Sequence, residues 1–128
     1  MTIINDTRRR AGEHLVSEVD TNMSRKSVVL LAGALYAAGS VLGKITASDK
    51  YTLLNPAASD GSQTAAGILH AEVDATAADK KGVIHRSLCV VIPSLLTWKA
   101  GTTDPQKAAA LTALEANHVY AATESGLA

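Results

Sequence analysis

The side chains best able to do chemistry in this sequence are four histidines (His14, His70, His85 and His118), one cysteine (Cys89) and a scatter of carboxylates. A protein metal centre usually shows itself as a Cys or second His a few residues from the first ligand. None of the four histidines has such a neighbour. His70 and His85 fall in stretches that read as neighbouring strands, where solvated or hydrogen-bonded structural histidines are the simpler expectation. No metal and no cofactor are expected. Asp60 and Asp74 could supply paired carboxylates for acid–base work. Both stand in turn-like surroundings, however, where Asp is favoured because its side chain bonds the local backbone. Cys89 has no partner for an intrachain disulfide and sits in Leu88-Cys89-Val90-Val91-Ile92, the surroundings of a buried thiol. Gly39-Ser40-Val41-Leu42-Gly43 lacks both the spacing and the following helix that a nucleophile elbow, a P-loop or a dinucleotide site requires. With no nucleophile and base set, the chain does not read as an enzyme. The densest charge run, Arg8-Arg9-Arg10, fits contact with an acidic surface as well as it fits a solvated tail.

The elements that would carry these groups belong to one domain, because 128 residues fill one core and leave little for a second. Hydrophobic residues make up 47% of the chain with no Phe and one Trp, so the core is built from Ala, Val, Leu and Ile. Small side chains bury little apolar surface each, and surface buried against copies of the same chain is a reasonable further source of stability. Twelve basic and twelve acidic residues cancel, which leaves no domain-wide footprint for nucleic acid. No apolar run approaches the length of a membrane span and the N-terminus lacks the order of a secretory signal, so a soluble protein made where it is used is expected.

Residues 1–27 differ in texture from the rest. Asp6, Arg8, Arg9, Arg10, Glu13, Glu18, Asp20, Arg25 and Lys26 crowd a stretch whose only apolar patches are short, Ile3-Ile4 and Leu15-Val16. An extended arm that orders on meeting a partner is expected here, with a short helix around Arg9 to Val19 as the rival reading. From Val28 the sequence reads as brief strands with tight turns. Val28 to Ala32 is one. Val41 to Thr46 and Lys50 to Leu54 flank Ala47-Ser48-Asp49 at the spacing of a hairpin with a three-residue loop. Gly67 to Val73 is another strand, and a longer one runs from Val83 to Ile92 until Pro93 stops it. One amphipathic helix is predicted to start at Asp104-Pro105, with Ala108, Leu111, Leu114 and His118 on its core face, and to end near Tyr120. The chain is therefore mainly β with a small α part: an arm over 1–27 and a β-rich domain over 28–128.

Several pieces in order carry a resemblance. They are Ala38-Gly39-Ser40-Val41-Leu42-Gly43-Lys44-Ile45-Thr46, Lys50-Tyr51, the run from Asn55 through Gly61 to Leu69, Val73-Asp74-Ala75-Thr76 and Ala108-Ala109-Ala110-Leu111. Over about two thirds of its length the chain resembles the head decoration proteins of tailed bacteriophages. The resemblance implies a compact α+β domain, barrel-like or sandwich, with one C-terminal helix and an extended N-terminal arm. It implies a non-enzymatic protein of the outer capsid surface of the virion, made in the host cytoplasm, that joins the shell after expansion. Its partners would be the major capsid protein of the same phage and itself, as a homotrimer on three-fold and quasi-three-fold positions, reinforcing the shell against the pressure of packaged DNA. No direct contact with nucleic acid or membrane is implied. The arm would supply the capsid contacts, with Ile3, Ile4, Arg8, Arg9, Arg10, Leu15 and Val16 as candidates. A long charged arm departs from the shortest members, so contacts cannot be carried over residue by residue. The alternative is a free-standing β-barrel module that binds a glycan or nucleic acid through Trp98, Tyr51 and Arg86.

Overall fold

A computed structural model describes residues 14–18 and 24–121. The chain runs β1 (Leu15–Glu18), β2 (Arg25–Leu30), β3 (Ala34–Tyr36), β4 (Val41–Lys44), β5 (Tyr51–Leu53), β6 (Ala65–Leu69), β7 (Val73–Ala75), β8 (Lys80–His85) and β9 (Cys89–Val91), then a 3-10 turn (Pro93–Leu95), α1 (Asp104–Ala116) and β10 (Val119–Ala121). Five strands close a barrel in the order β2-β5-β4-β6-β8. A mixed sheet β1-β9-β10 lies outside it, and β3 and β7 form a separate antiparallel ribbon.

The expected hairpin is β4–β5, antiparallel with Lys44 opposite Tyr51. Its loop is tight because Asp49 adopts φ 58 and donates its N–H to the Ile45 carbonyl at 2.9 Å. The strand expected over Gly67 to Val73 is two strands, β6 and β7, separated at His70 to Glu72, so that β7 leaves the barrel to pair with β3. The long strand expected over Val83 to Ile92 is likewise two. Leu88 at φ 55 reverses the chain between β8 and β9, a conformation costly for a side chain bearing Cβ and hard to read from an apolar run.

Two cores result. The barrel core holds Val28, Leu30, Leu42, Tyr51, Leu69 and Ile84, joined by Tyr36 and Ala75 from the β3–β7 ribbon. The outer core holds Val41, Leu54, Ala65, Ile68, Cys89, Val91, Leu96, Ala110, Leu114 and Val119, with Leu15 and Trp98 packed against it. Strand β4 feeds both, Leu42 inward and Val41 outward, so it is buried on both faces and reads as an unbroken apolar run. At Gly43 a Cβ would collide with the backbone of Ser62, which crosses close over the strand.

The N-cap of the helix lies one residue earlier than the predicted Asp104. Thr103 is the N-cap, taking a hydrogen bond from Gln106 N–H at 3.4 Å, while Thr103 N–H donates to Gln106 Oε1 at 2.9 Å. Asp104 and Pro105 are inside the first turn, where the missing proline N–H costs no intrahelical bond. Ala110 and Leu114 are its buried residues, with Leu111 and Ala113 partly buried, whereas Ala108 and His118 are exposed. It ends at Ala116 instead of near Tyr120: Asn117 N–H bonds back to Leu114 O, His118 turns at φ 64, and Val119 to Ala121 then pair with β9 as β10.

Residues 1–27, read as an arm outside the fold, contribute β1 and Arg25 to Ser27 of β2 to it. Leu15 pairs with Val91 and Glu18 with Cys89, and Ile92 N–H donates to the His14 carbonyl at 2.7 Å. A partner so far along the chain leaves no local pattern. Where the rival reading put a helix, Leu15–Glu18 is a strand.

Candidate functional site

Three histidines meet where β1 lies against the barrel. Ile84 points into the lumen, so alternation sends its neighbour His85 to the outer face. The register sets Arg25 and Ile68 opposite His85, one on each flanking strand. His70, just past the end of β6 and two residues after Ile68, follows onto the same face. β1 covers that face, bringing His14 from just before its start and Glu18 from its last position.

His70 Nδ1 lies 3.1 Å from His85 Nε2, one ring nitrogen donating to the other. The His85 ring meets His14 and His70 edge-on, at centroid distances of 5.2 and 5.1 Å. Its Nδ1 has no hydrogen bond among the described residues and stands 3.6 Å from Glu18 Oε2. That carboxylate accepts from the Ser24 hydroxyl, from Arg25 Nη2 at 2.7 Å and from Arg25 Nε at 3.3 Å. His14 and His85 are 1% and 0% exposed.

The charges follow from these contacts. Hydrogen bonding from Arg25 holds the Glu18 carboxyl below the usual range, with Ser24 helping, against the opposing effect of burial. Burial, and then the neighbouring His14 and His70, push His85 down to about 4. Burial also lowers His70. At neutral pH His70 and His85 are therefore neutral rings beside one ion pair. Ser24 donates to the carboxylate and not to an imidazole, so its oxygen is not activated as in a serine nucleophile. Among the described residues no group of His, Cys, Asp and Glu is arranged to hold a metal. The arrangement ties the N-terminal strand to the barrel.

The other chemical candidates stay apart. Asp60 accepts from the N–H and hydroxyl of Ser62, and Asp74 from those of Thr76, each within its own turn. Both carboxyls are lowered, chiefly by the side-chain hydroxyl. Cys89 is buried in the outer core, and burial raises its thiol to about 11, which keeps it protonated and unreactive. His118 Nδ1 pairs at 2.9 Å with the Tyr120 hydroxyl at the surface, away from the other three.

Of the residues expected to contact a capsid, Ile3, Ile4, Arg8, Arg9 and Arg10 lie outside the described residues. Leu15 packs against the outer core, and Val16, on the same strand, is 45% exposed. Of the residues of the alternative binding module, Tyr51 and Arg86 line one surface groove and Trp98 stands apart from it. Tyr51 is buried in the barrel lumen, Trp98 packs on the outer core with the Lys107 ammonium 5.9 Å from its ring centre, and Arg86 is exposed beyond the end of β8. Residue types alone did not single out Glu18 and gave no link between His14 and His85; only the fold brings both to His85.

No helix among the described residues is long and apolar enough to cross a membrane. No curated protein matches the chain. The family model of the bacteriophage lambda head decoration protein D matches residues 4–119, covering β1 through the start of β10 and therefore both cores and the histidine cluster. The chain thus belongs to the bacteriophage lambda head decoration protein D family, a family of structural capsid proteins of the virion.

Proposed function

We propose that the protein binds the outer surface of the expanded capsid as trimers at three-fold and quasi-three-fold positions and stabilises the shell against the pressure of packaged DNA. The observation that carries this reading is the family match over residues 4–119. The partners are the major capsid protein and two further copies of this chain, without nucleic acid. Attachment runs through the N-terminal residues, Ile3, Ile4 and Arg8 to Arg10, continuing into Leu15 and Val16 of β1. That strand supports the assignment because it is an outer strand of its sheet with one edge unpaired among the described residues, a position from which more strand can be added. A ligand that binds the expanded lattice and not the compact or ruptured one stabilises it by RT ln(1 + [L]/Kd) at each site, so many weak contacts add up.

Cosedimentation with expanded and unexpanded shells tests the reading. Binding to expanded shells alone is expected, with shells gaining resistance to heat when decorated. Deleting residues 1–13 should weaken attachment while leaving the melting temperature within a few degrees. Full occupancy by the truncated protein places the contacts elsewhere, and equal binding to both shell forms removes the stabilising mechanism.

A further inference from the structure

The barrel is closed unevenly. β2 and β8 pair along their whole length, from Arg25 opposite His85 to Leu30 opposite Lys80. On its other side β2 meets β5 at a single position, Leu30 opposite Tyr51, with Leu31 N–H donating to Tyr51 O at 2.8 Å. The hydrogen-bond parity of β2 is fixed from three directions. Arg86 N–H donates to Ser24 O, so the even-numbered residues of β2 serve the ladder to β8. Val83 O accepts from His70 N–H on the β6 side, which makes Ser27 and Val83 a non-hydrogen-bonded pair. Leu31 has the same parity as Ser27 and bonds toward β5. The N–H and C=O groups of Ser27 and the N–H of Val29 therefore point into the seam between β2 and β5, where no strand among the described residues receives them, whereas the Val29 C=O takes the Tyr51 N–H within the single Leu30–Tyr51 bridge.

That seam is a groove of about 360 Å³, bounded by Lys26 to Val29 on one side and by Lys44, Asp49 and Tyr51 on the other, with Lys81 at its rim. A second groove, about 460 Å³, shares Lys26, Lys44 and Tyr51 and extends to Arg86. The charge here is one-sided in a chain whose formal net charge is zero. Lys26, Lys81 and Arg86 are exposed and have no ion pair among the described residues, and the one acidic side chain of the first groove, Asp49, is engaged by Lys44 at 3.3 Å.

We propose that the open seam between β2 and β5 is a docking groove for an extended, acidic peptide segment, which adds as a strand to β2 with its carboxylates on Lys26, Lys81 and Arg86. Main-chain pairing supplies the affinity and the basic rim supplies the choice of partner and the rate of encounter. The rim also excludes the same edge of a second copy, since two such lysine rows repel. A nucleic acid strand is the weaker fit: single strands are held by stacking on exposed aromatic faces, and Tyr51 is only 6% exposed.

The test uses the full chain labelled with nitrogen-15 and the probe acetyl-(Glu-Thr)3-amide, with acetyl-(Lys-Thr)3-amide and an oligothymidylate as controls. The acidic peptide should shift the amide signals of Lys26 to Val29, slow hydrogen exchange at Ser27 and Val29, and lose affinity as salt rises. Ser27→Pro removes a seam-facing N–H while sparing the ladder to β8, and should weaken binding by about tenfold or more, as loss of a main-chain hydrogen bond does. Lys26→Glu with Lys81→Glu should weaken it at least as much, and keeps the test open if the proline variant does not fold. No shift at β2 with millimolar acidic peptide overturns the proposal, as does unchanged binding by the lysine pair variant. Displacement of the peptide by oligothymidylate at lower concentration overturns the choice of a peptide ligand.

Discussion

The lumen of the barrel and the outer core differ in how they are assembled. Every residue of the lumen core lies between Val28 and Ile84, and most of its pairings join strands that are near neighbours in the chain. The outer core draws on both ends: Leu15 from β1, Val41 and Ile68 from the backs of barrel strands, Leu114 from α1 and Val119 from β10. The lumen is apolar, whereas the outer layer meets the barrel across a seam that includes Glu18, Arg25 and three imidazoles. One region is held by shape and hydrophobic burial. The other adds a polar clasp whose strength depends on protonation.

Truncating each core probes that difference most strongly. Leu42 in the lumen and Leu114 in the outer core are both fully buried, and changing either to Ala should cost about 2–5 kcal/mol, as buried leucine truncations do. Hydrogen exchange separates them: Leu114→Ala should free α1, β1 and β10 first while β2 and β8 stay protected. Loss of protection across all strands in that variant would mean that the two cores form one cooperative unit.

Acid should act first on the outer layer, before the lowered carboxyls of Asp60 and Asp74 protonate. His85 titrates at about 4 in the folded protein and near its ordinary 6.5 when unfolded, so below pH 6.5 the unfolded chain binds the extra proton. Stability is full above about pH 6.5 and falls until about pH 4, by on the order of 3 kcal/mol for a shift of this size. The lowered His70 acts in the same direction, and the lowered Glu18 adds a loss as its own carboxylate protonates. His14, His70, Glu18 and Arg25 all face His85, so His85→Gln should flatten the dependence without abolishing it. Denaturant midpoints for wild type and variant at pH 7 and pH 5 give the answer, and an equal acid loss in both would clear His85 of the effect.

Smaller changes sharpen the comparison further. Glu18→Gln keeps the shape of the clasp but removes the charge that Arg25 and Ser24 bond, and should cost roughly 1–3 kcal/mol. Its effect should appear as faster exchange in β1 and none in β4 or β5. Thr103→Ala, read by thermal melting, should cost about 1 kcal/mol by opening the capping box of α1. A loss well beyond that would show that the first turn of α1 bears more of the outer core than Ala110 and Leu114 account for.

What could be read from the sequence tracks the same division. The β4–β5 hairpin was legible because turn and strands lie together, and α1 was legible because Leu111 and Leu114 recur at helical spacing around a proline-marked start. The cap was misplaced by one residue because Thr103 and Asp104 are both good caps and only the Gln106 contact decides between them. Leu88 hid its reversal inside an apolar run. β1 was unreadable as a strand, since its four residues owe their conformation to Cys89–Val91. Of the histidine cluster, adjacency of His70 and His85 was legible from the strands carrying them, while His14 and Glu18 entered through that same distant pairing.

The pairing of β1 with β9 also orders events in time. During synthesis the strand Leu15–Glu18 emerges early, yet its template, Cys89–Val91, is made only after the whole barrel sequence. The barrel strands can therefore pair before β1 has anywhere to go, and the closing step must join segments of high sequence separation, the slow kind of contact to form. In the finished protein a four-residue edge strand can leave its sheet without breaking any barrel ladder, so its departure is a local opening that leaves the barrel standing.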